Sequence, residues 1–345
     1  MMQGPKRVVS VLLSAVVLSS GFLDYWSYSQ AFYSEPGIWM NVVSGTANAP
    51  NQYRIAVVDT AYFLARQMHL GMRHTLALLD VVAAFIAVFA LLLVLRRSAV
   101  YRNAGMMGQW FGAAGFVVLV QFYFAWLLWY QRPETLPTAA ILALALLLLA
   151  VKLPLPEGAG TIAAVAGLLL LAVAQGFVRA DVAFALHVGI LLVCLTPVGS
   201  GFALPRGVQA VTSVVAVLLT VGIQYDLMKR MFPQASYGDT SVMQLFWNLK
   251  SPSGYIPFLL FMVPFGWTAV LMGRRRYQTD AAGVAMFTAA VIFFGMWVTV
   301  GRIKEVRLFL PFALALAPLT VGLAMQCFLP GVDDVETRAG LSSSH

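Results

Sequence analysis

The chain has 345 residues, 60% hydrophobic and 10% charged, with a formal net charge of +8. A mean hydropathy of +0.82 excludes an ordinary soluble globule, whose core could not bury that much apolar surface. The basic residues cluster at the ends of apolar runs, as topology determinants do, which argues against a nucleic-acid partner.

Continuous Leu-, Ala- and Val-rich runs without short alternation point to helices rather than a barrel. The expected fold is all-α: a polytopic membrane bundle of about ten transmembrane helices, forming one transmembrane domain over residues 1–345.

Lys6 and Arg7 precede the first run, which ends among the small residues Ser19, Ser20 and Gly21 in the manner of a signal peptide. Phe22, Leu23, Tyr25 and Trp26 carry it on to spanning length, so an uncleaved first span is preferred. A long outward loop over 24–74 follows. Within it, apolar residues recur at helical spacing over 55–72 with Asp59 and Arg66 interspersed, which predicts an amphipathic helix lying on the membrane surface.

Further spans are expected over 75–95, 106–130, 136–151, 161–178, 182–204, 208–224, 255–272, 281–300 and 308–329. Trp126, Trp129 and Tyr130 read as an interfacial belt. A second outward loop over 225–254, carrying Asp226, Lys229, Arg230, Asp239 and Lys250 among Pro, Gly and Ser, reads as a mobile flap.

Both termini then fall on one side. Clusters in short loops, Lys6 with Arg7, Arg96 with Arg97 and Arg102, and Arg274 with Arg275 and Arg276, make that side cytoplasmic. Lys152, Arg206 and Arg338 join them, yet half of the 22 cations still lie outside. That outward excess runs against the usual bias and calls for a reason.

Ionisable groups near the membrane are costly and tend to be functional. Asp24, flanked by aromatics, is the candidate general base; the bland alternative is a span end or a partner for Arg54. Tyr53 and Arg54 lie in a polar run, where arginine's planar fork suits an anionic lipid headgroup, against the alternative of a snorkelling anchor. The string Gly301-Arg302-Ile303-Lys304-Glu305-Val306-Arg307 places three cations and one carboxylate between two spans. If helical, it sets Arg302 with Glu305 and Lys304 with Arg307 on separate faces, the latter pair clamping a phosphate.

Asp80 is expected to cap or to pair with Arg73 or His74, against the alternative of a proton relay in a transporter. His187 and the cysteines Cys194 and Cys327 read as packing residues. The spacing of His69 and His74 does not suit a metal, and neither metal nor cofactor is expected.

A first span ending in an acid, a long first outward loop and a basic outer face resemble the GT-C superfamily of integral membrane glycosyltransferases. The strings Gln52-Tyr53-Arg54-Ile55 and Glu305-Val306-Arg307 through Pro311 resemble the "YR" and "E-x-R…P" signatures of small bacterial membrane proteins in that group. The resemblance implies transfer of a sugar from a polyprenyl-phosphate-linked donor on the extracytoplasmic face of the bacterial inner membrane. It puts Asp24 at the position of the loop-one acid and Arg54, Arg302, Lys304 and Arg307 on the lipid phosphate. The first loop lacks the paired acids of that family, which puts metal dependence in doubt. The competing readings are a transporter or flippase for an anionic or lipid-linked substrate, and a non-catalytic membrane assembly protein.

Overall fold

The computed structural model describes residues 4–127, 132–236, 243–250, 252–274 and 279–329. Among the described residues the chain is helical, without strands, and seven helices are long and apolar enough to cross a membrane: Arg7–Ser34, Met72–Arg97, Met106–Ala125, Gly158–Cys194, Arg206–Met231, Pro252–Gly273 and Ala281–Val300. Two shorter apolar helices, Thr135–Ala150 and Ala317–Phe328, pack among them. Trp129, Tyr130, Asp239, Arg275, Arg276 and Arg338, singled out above, lie outside the described residues.

Small side chains bring the helices together, as expected where lipid removes the hydrophobic drive and close van der Waals packing takes over. Helix Met72–Arg97 packs along Thr135–Ala150, and both bury alanines: Ala83, Ala84 and Ala87 on one, Ala139, Ala140 and Ala143 on the other. At Gly189 a β-carbon would meet the backbone nitrogen of Ala289 at 2.7 Å, so only glycine permits this crossing. The last helical stretch, from Leu310 onward, is the most enclosed. Phe309, just before it, is ringed by Phe265, Phe293 and Trp297 with centroids 5.1 to 6.3 Å away.

Helix Glu157–Cys194 is not one rod. Arg179 has φ −159° and ψ 90° in its middle. Thirty-eight helical residues would extend about 57 Å if straight. Instead one cavity is lined both by Lys152, Gly160 and Thr161 and by Ser200 and Ala203, and the Ala203 amide donates to the Leu149 carbonyl at 3.0 Å. Both ends therefore lie at the same level, and the chain turns back at Arg179, which accounts for two of the apolar runs read from the sequence.

The first helix, Gly4–Ser34, runs ten residues past Asp24, so Asp24 sits inside a helix and the first connecting segment starts at Glu35. The aromatic residues that read as a boundary simply continue the helix. That segment holds a 3-10 turn at Asn51–Tyr53, where buried Gln52 accepts from the Ala47 amide at 2.8 Å and donates to the Val42 carbonyl at 3.1 Å. Helix Ile55–Met68 follows, burying Val57, Val58, Ala61 and Ala65, and the Thr75 hydroxyl donates to the Ala61 carbonyl at 3.0 Å.

The stretch expected to be a flap is docked where it is described. Helix Arg206–Asp226 continues through one wider turn, Leu227–Met231. Beyond it the Ala49 amide donates to the Ser236 carbonyl at 3.1 Å and Gln234 Nε2 to the Gly45 carbonyl at 2.9 Å.

Candidate functional site

The two polar strings that bracket the chain converge on a residue between them. Glu134 stands at the head of helix Thr135–Ala150. Its Oε1 lies 2.8 Å from Arg54 Nη1 and 3.6 Å from Arg307 Nη1, and Arg307 Nη2 reaches Glu305 Oε2 at 2.8 Å. Nearby, Arg179 Nη2 pairs with Asp181 Oδ2 at 2.6 Å while its Nη1 donates to the Leu308 carbonyl at 3.1 Å. The turn-back of the helix hairpin is thus fastened to the 305–308 turn.

Three arginines facing three carboxylates make a network that is neutral overall. Burial alone would push the Glu134 carboxyl up, but Arg54, Arg307 and Arg179 outweigh it and hold the group below the usual carboxylate range. Arg307 is moved below its ordinary value chiefly by burial, with Glu134 and Glu305 opposing that effect.

Beside this network opens a cavity of about 710 Å³, lined by Ser27, Tyr28 and Ser34 of the first helix, by Glu35 and Trp39, and by Arg132, Lys304, Glu305 and Arg307. Arg132 lies over the Trp39 ring at 5.3 Å. Three cations against two carboxylates leave the wall with a small positive balance. At the end of the cavity formed by the first helix, the Tyr28 hydroxyl donates to Asp80 Oδ2 at 2.5 Å.

Of the residues expected at the site, Lys304, Glu305 and Arg307 line this cavity. Arg54 stands behind it, its guanidinium occupied by Glu134. Tyr53 turns away: its hydroxyl donates to the Ala235 carbonyl at 2.9 Å, which makes it part of the docking between the two connecting segments. Arg302 is not among the lining residues; its carbonyl accepts from Trp297 Nε1 at 3.1 Å.

The helical pairing expected over 301–307 is replaced by a turn in which the Glu305 amide donates to the Arg302 carbonyl at 2.9 Å, so Glu305 meets Arg307 instead of Arg302. Asn248 imposes that turn. Its Nδ2 donates to the Val298 and Gly301 carbonyls at 2.9 and 2.8 Å, and its Oδ1 accepts from the Ile303 amide at 3.1 Å.

Asp24 lies one helical turn before Tyr28 and, like Tyr28, is almost fully buried, but it is not among the residues lining the cavity; among the described residues its Oδ2 has no hydrogen-bond partner. Asp80 meets Tyr28 instead of the expected Arg73 or His74. Those two surround Tyr25, Arg73 over its ring at 5.7 Å and His74 Nε2 3.4 Å from its hydroxyl. His187 and Cys194 are buried. Among the described residues, no group of three or more His, Cys, Asp or Glu side chains is placed to hold a metal ion.

Sequence reading missed Glu134 and undervalued Asp80. A signal for Glu134 was present: in Arg132-Pro133-Glu134 a carboxylate immediately precedes an apolar run. The class of molecule, among the described residues, is accordingly an all-helical protein with seven helices apt to cross a membrane and a polar, charge-lined cavity beside the Glu134 network. No protein-family model matches it, and comparison with curated proteins and with solved structures returns no match.

Proposed function

We propose that the protein is a membrane glycosyltransferase of GT-C type, taking a sugar from a polyprenyl-phosphate-linked donor whose phosphate lies against Lys304, Arg307 and Arg132. The observation that carries this reading is the cavity of about 710 Å³, whose wall combines the cations Arg132, Lys304 and Arg307 with the apolar surface of Ala31, Ile38 and Trp39. A prenyl chain lies along such a surface while its headgroup enters the polar space. Arg307, fixed by Glu305 and Glu134, stabilises the charge that develops on the departing phosphate with little reorganisation at the moment of transfer.

The chain crosses the membrane ten times in this reading. The hairpin Glu157–Cys194 counts as two passes, and the short helices Thr135–Ala150 and Ala317–Phe328 complete the number. Arg96, Arg97, Arg102, Lys152 and Arg206 then face the cytoplasm with both termini, the cavity faces outward, and helix Ile55–Met68 rests at the outer interface. Its exposed Phe63 and Met68 suit that place.

Binding of polyprenyl phosphate to the purified chain, compared with uncharged polyprenol of the same length, tests the reading. Tighter binding of the phosphate, weakened by Lys304→Ala with Arg307→Gln, supports it. Equal affinity for the two lipids overturns it. Modification of Lys304 by a membrane-impermeant amine reagent in sealed, right-side-out vesicles checks the orientation.

A further inference from the structure

We propose that Tyr28 is the catalytic residue that takes the proton from the acceptor hydroxyl, with Asp80 behind it as the terminal proton acceptor, in place of Asp24. The inference rests on the transferase reading above and assigns to it a chemical step that the phosphate-binding cations leave open.

Three observations carry it. Tyr28 belongs to the cavity wall that also presents Lys304 and Arg307, whereas Asp24, one turn before it, does not. The Tyr28 hydroxyl donates to Asp80 Oδ2 at 2.5 Å, within the short range of a charge-assisted bond to a carboxylate. The partners come from different helices, Gly4–Ser34 and Met72–Arg97, and beside them Gly21 packs directly on Val81, which fixes the register of the two helices at this level.

A phenol both donates and accepts, so one oxygen can receive a proton as it gives another away. The Tyr28 hydroxyl already directs its proton at Asp80 Oδ2, so the phenolic proton leaves along that bond as another arrives. The proton therefore passes through Tyr28 without leaving it charged.

The step balances as follows. The acceptor hydroxyl oxygen forms a bond to the anomeric carbon, and the bond from that carbon to the phosphate oxygen breaks with its electron pair going to polyprenyl phosphate. The hydroxyl proton moves to Tyr28 Oη as the phenolic proton moves to Asp80 Oδ2. Protonated Asp80 returns its proton to solvent through Tyr28 and the open cavity once product has left.

The test uses the full chain in lipid nanodiscs, supplied with polyprenyl-phosphate-linked sugars and envelope acceptors extracted together from bacterial membranes, and follows release of polyprenyl phosphate. Tyr28→Phe and Asp80→Asn are expected to slow release by about 10²–10⁴-fold while polyprenyl phosphate still binds, and Asp80→Glu is expected to restore part of the rate. In wild-type protein, release in mixtures of light and heavy water should depend on deuterium fraction along a bowed curve, the mark of two protons in flight. A straight or flat dependence overturns the relay without recourse to any variant, as does a Tyr28→Phe rate equal to wild type. Failure of the wild-type chain to bind or release polyprenyl phosphate ends the transferase reading and the relay together.

Discussion

Arg54 and Glu134 meet at 2.8 Å between Nη1 and Oε1, both largely enclosed, and the same carboxylate oxygen lies 3.6 Å from Arg307. Removing the carboxylate takes the short ion pair from Arg54 and leaves Arg307 with only its Glu305 pair, in a site that is largely enclosed. Glu134→Gln is expected to destabilise the fold by about 3 kcal/mol, measured by thermal unfolding in detergent. The double variant with Arg54→Gln should lose less than the sum of the two single losses, because each removes the same partner.

The same carboxylate sets a pH dependence. Its folded-state value lies below the ordinary 4.5, so its contribution is fully present above that value and is lost as pH falls through the depressed folded one. Unfolding temperature is expected to decline as pH drops below the ordinary glutamate range, more steeply in wild type than in Glu134→Gln. Parallel curves for the two proteins would count against the pairing.

The Asn248 side chain supports the turn that presents Lys304 to the cavity. Asn248→Ala leaves two carbonyls and one amide without their partner. A loss of about 2 kcal/mol is expected, together with faster hydrogen exchange at Ile303, measurable by mass spectrometry of the 298–308 peptide.

Tyr53 offers a clean separation of a structural from a ligand-binding role. Its hydroxyl donates to the Ala235 carbonyl, so Tyr53→Phe should leave polyprenyl phosphate affinity unchanged and increase protease cleavage between residues 232 and 250. Weakened affinity with unchanged cleavage would return Tyr53 to the binding site.

Helix crossings give a further pair of variants. Gly189→Ala drives a β-carbon into the Ala289 backbone and is expected to cost about 1–3 kcal/mol. Gly295 has open space around its missing β-carbon, so Gly295→Ala should be neutral or stabilising by up to about 1 kcal/mol. Unfolding midpoints of the two variants, measured side by side, check both.

Apolar runs were legible because a helix in lipid satisfies its own backbone, so hydrophobic length alone marks it. The cationic turn at 302–307 was legible for the complementary reason, that charge beside a membrane stands out. What escaped was the pairing. Arg54 looked like a ligand for an outside anion because its true partner, Glu134, lies far off in sequence and no periodicity joins them. Asp24 drew attention as the acid nearest a supposed span end, yet the helix continues to Ser34. Aromatic residues fit a membrane interface and a helix interior equally well, so they could not mark that boundary. The turn-back at Arg179 was legible as the gap between the spans expected over 161–178 and 182–204, where Arg179, Ala180 and Asp181 interrupt the apolar run.

That turn-back also bears on how the chain is made. The two halves of Glu157–Cys194 are joined through a single non-helical residue, with no connecting loop to be threaded across a bilayer separately. In the ten-pass topology proposed above such halves would enter lipid together, with the opposite charges of Arg179 and Asp181 paired at the turn between them. Arg179 thus has its counter-ion two residues away as soon as Asp181 is made, and gains the Leu308 carbonyl only once the 305–308 turn follows.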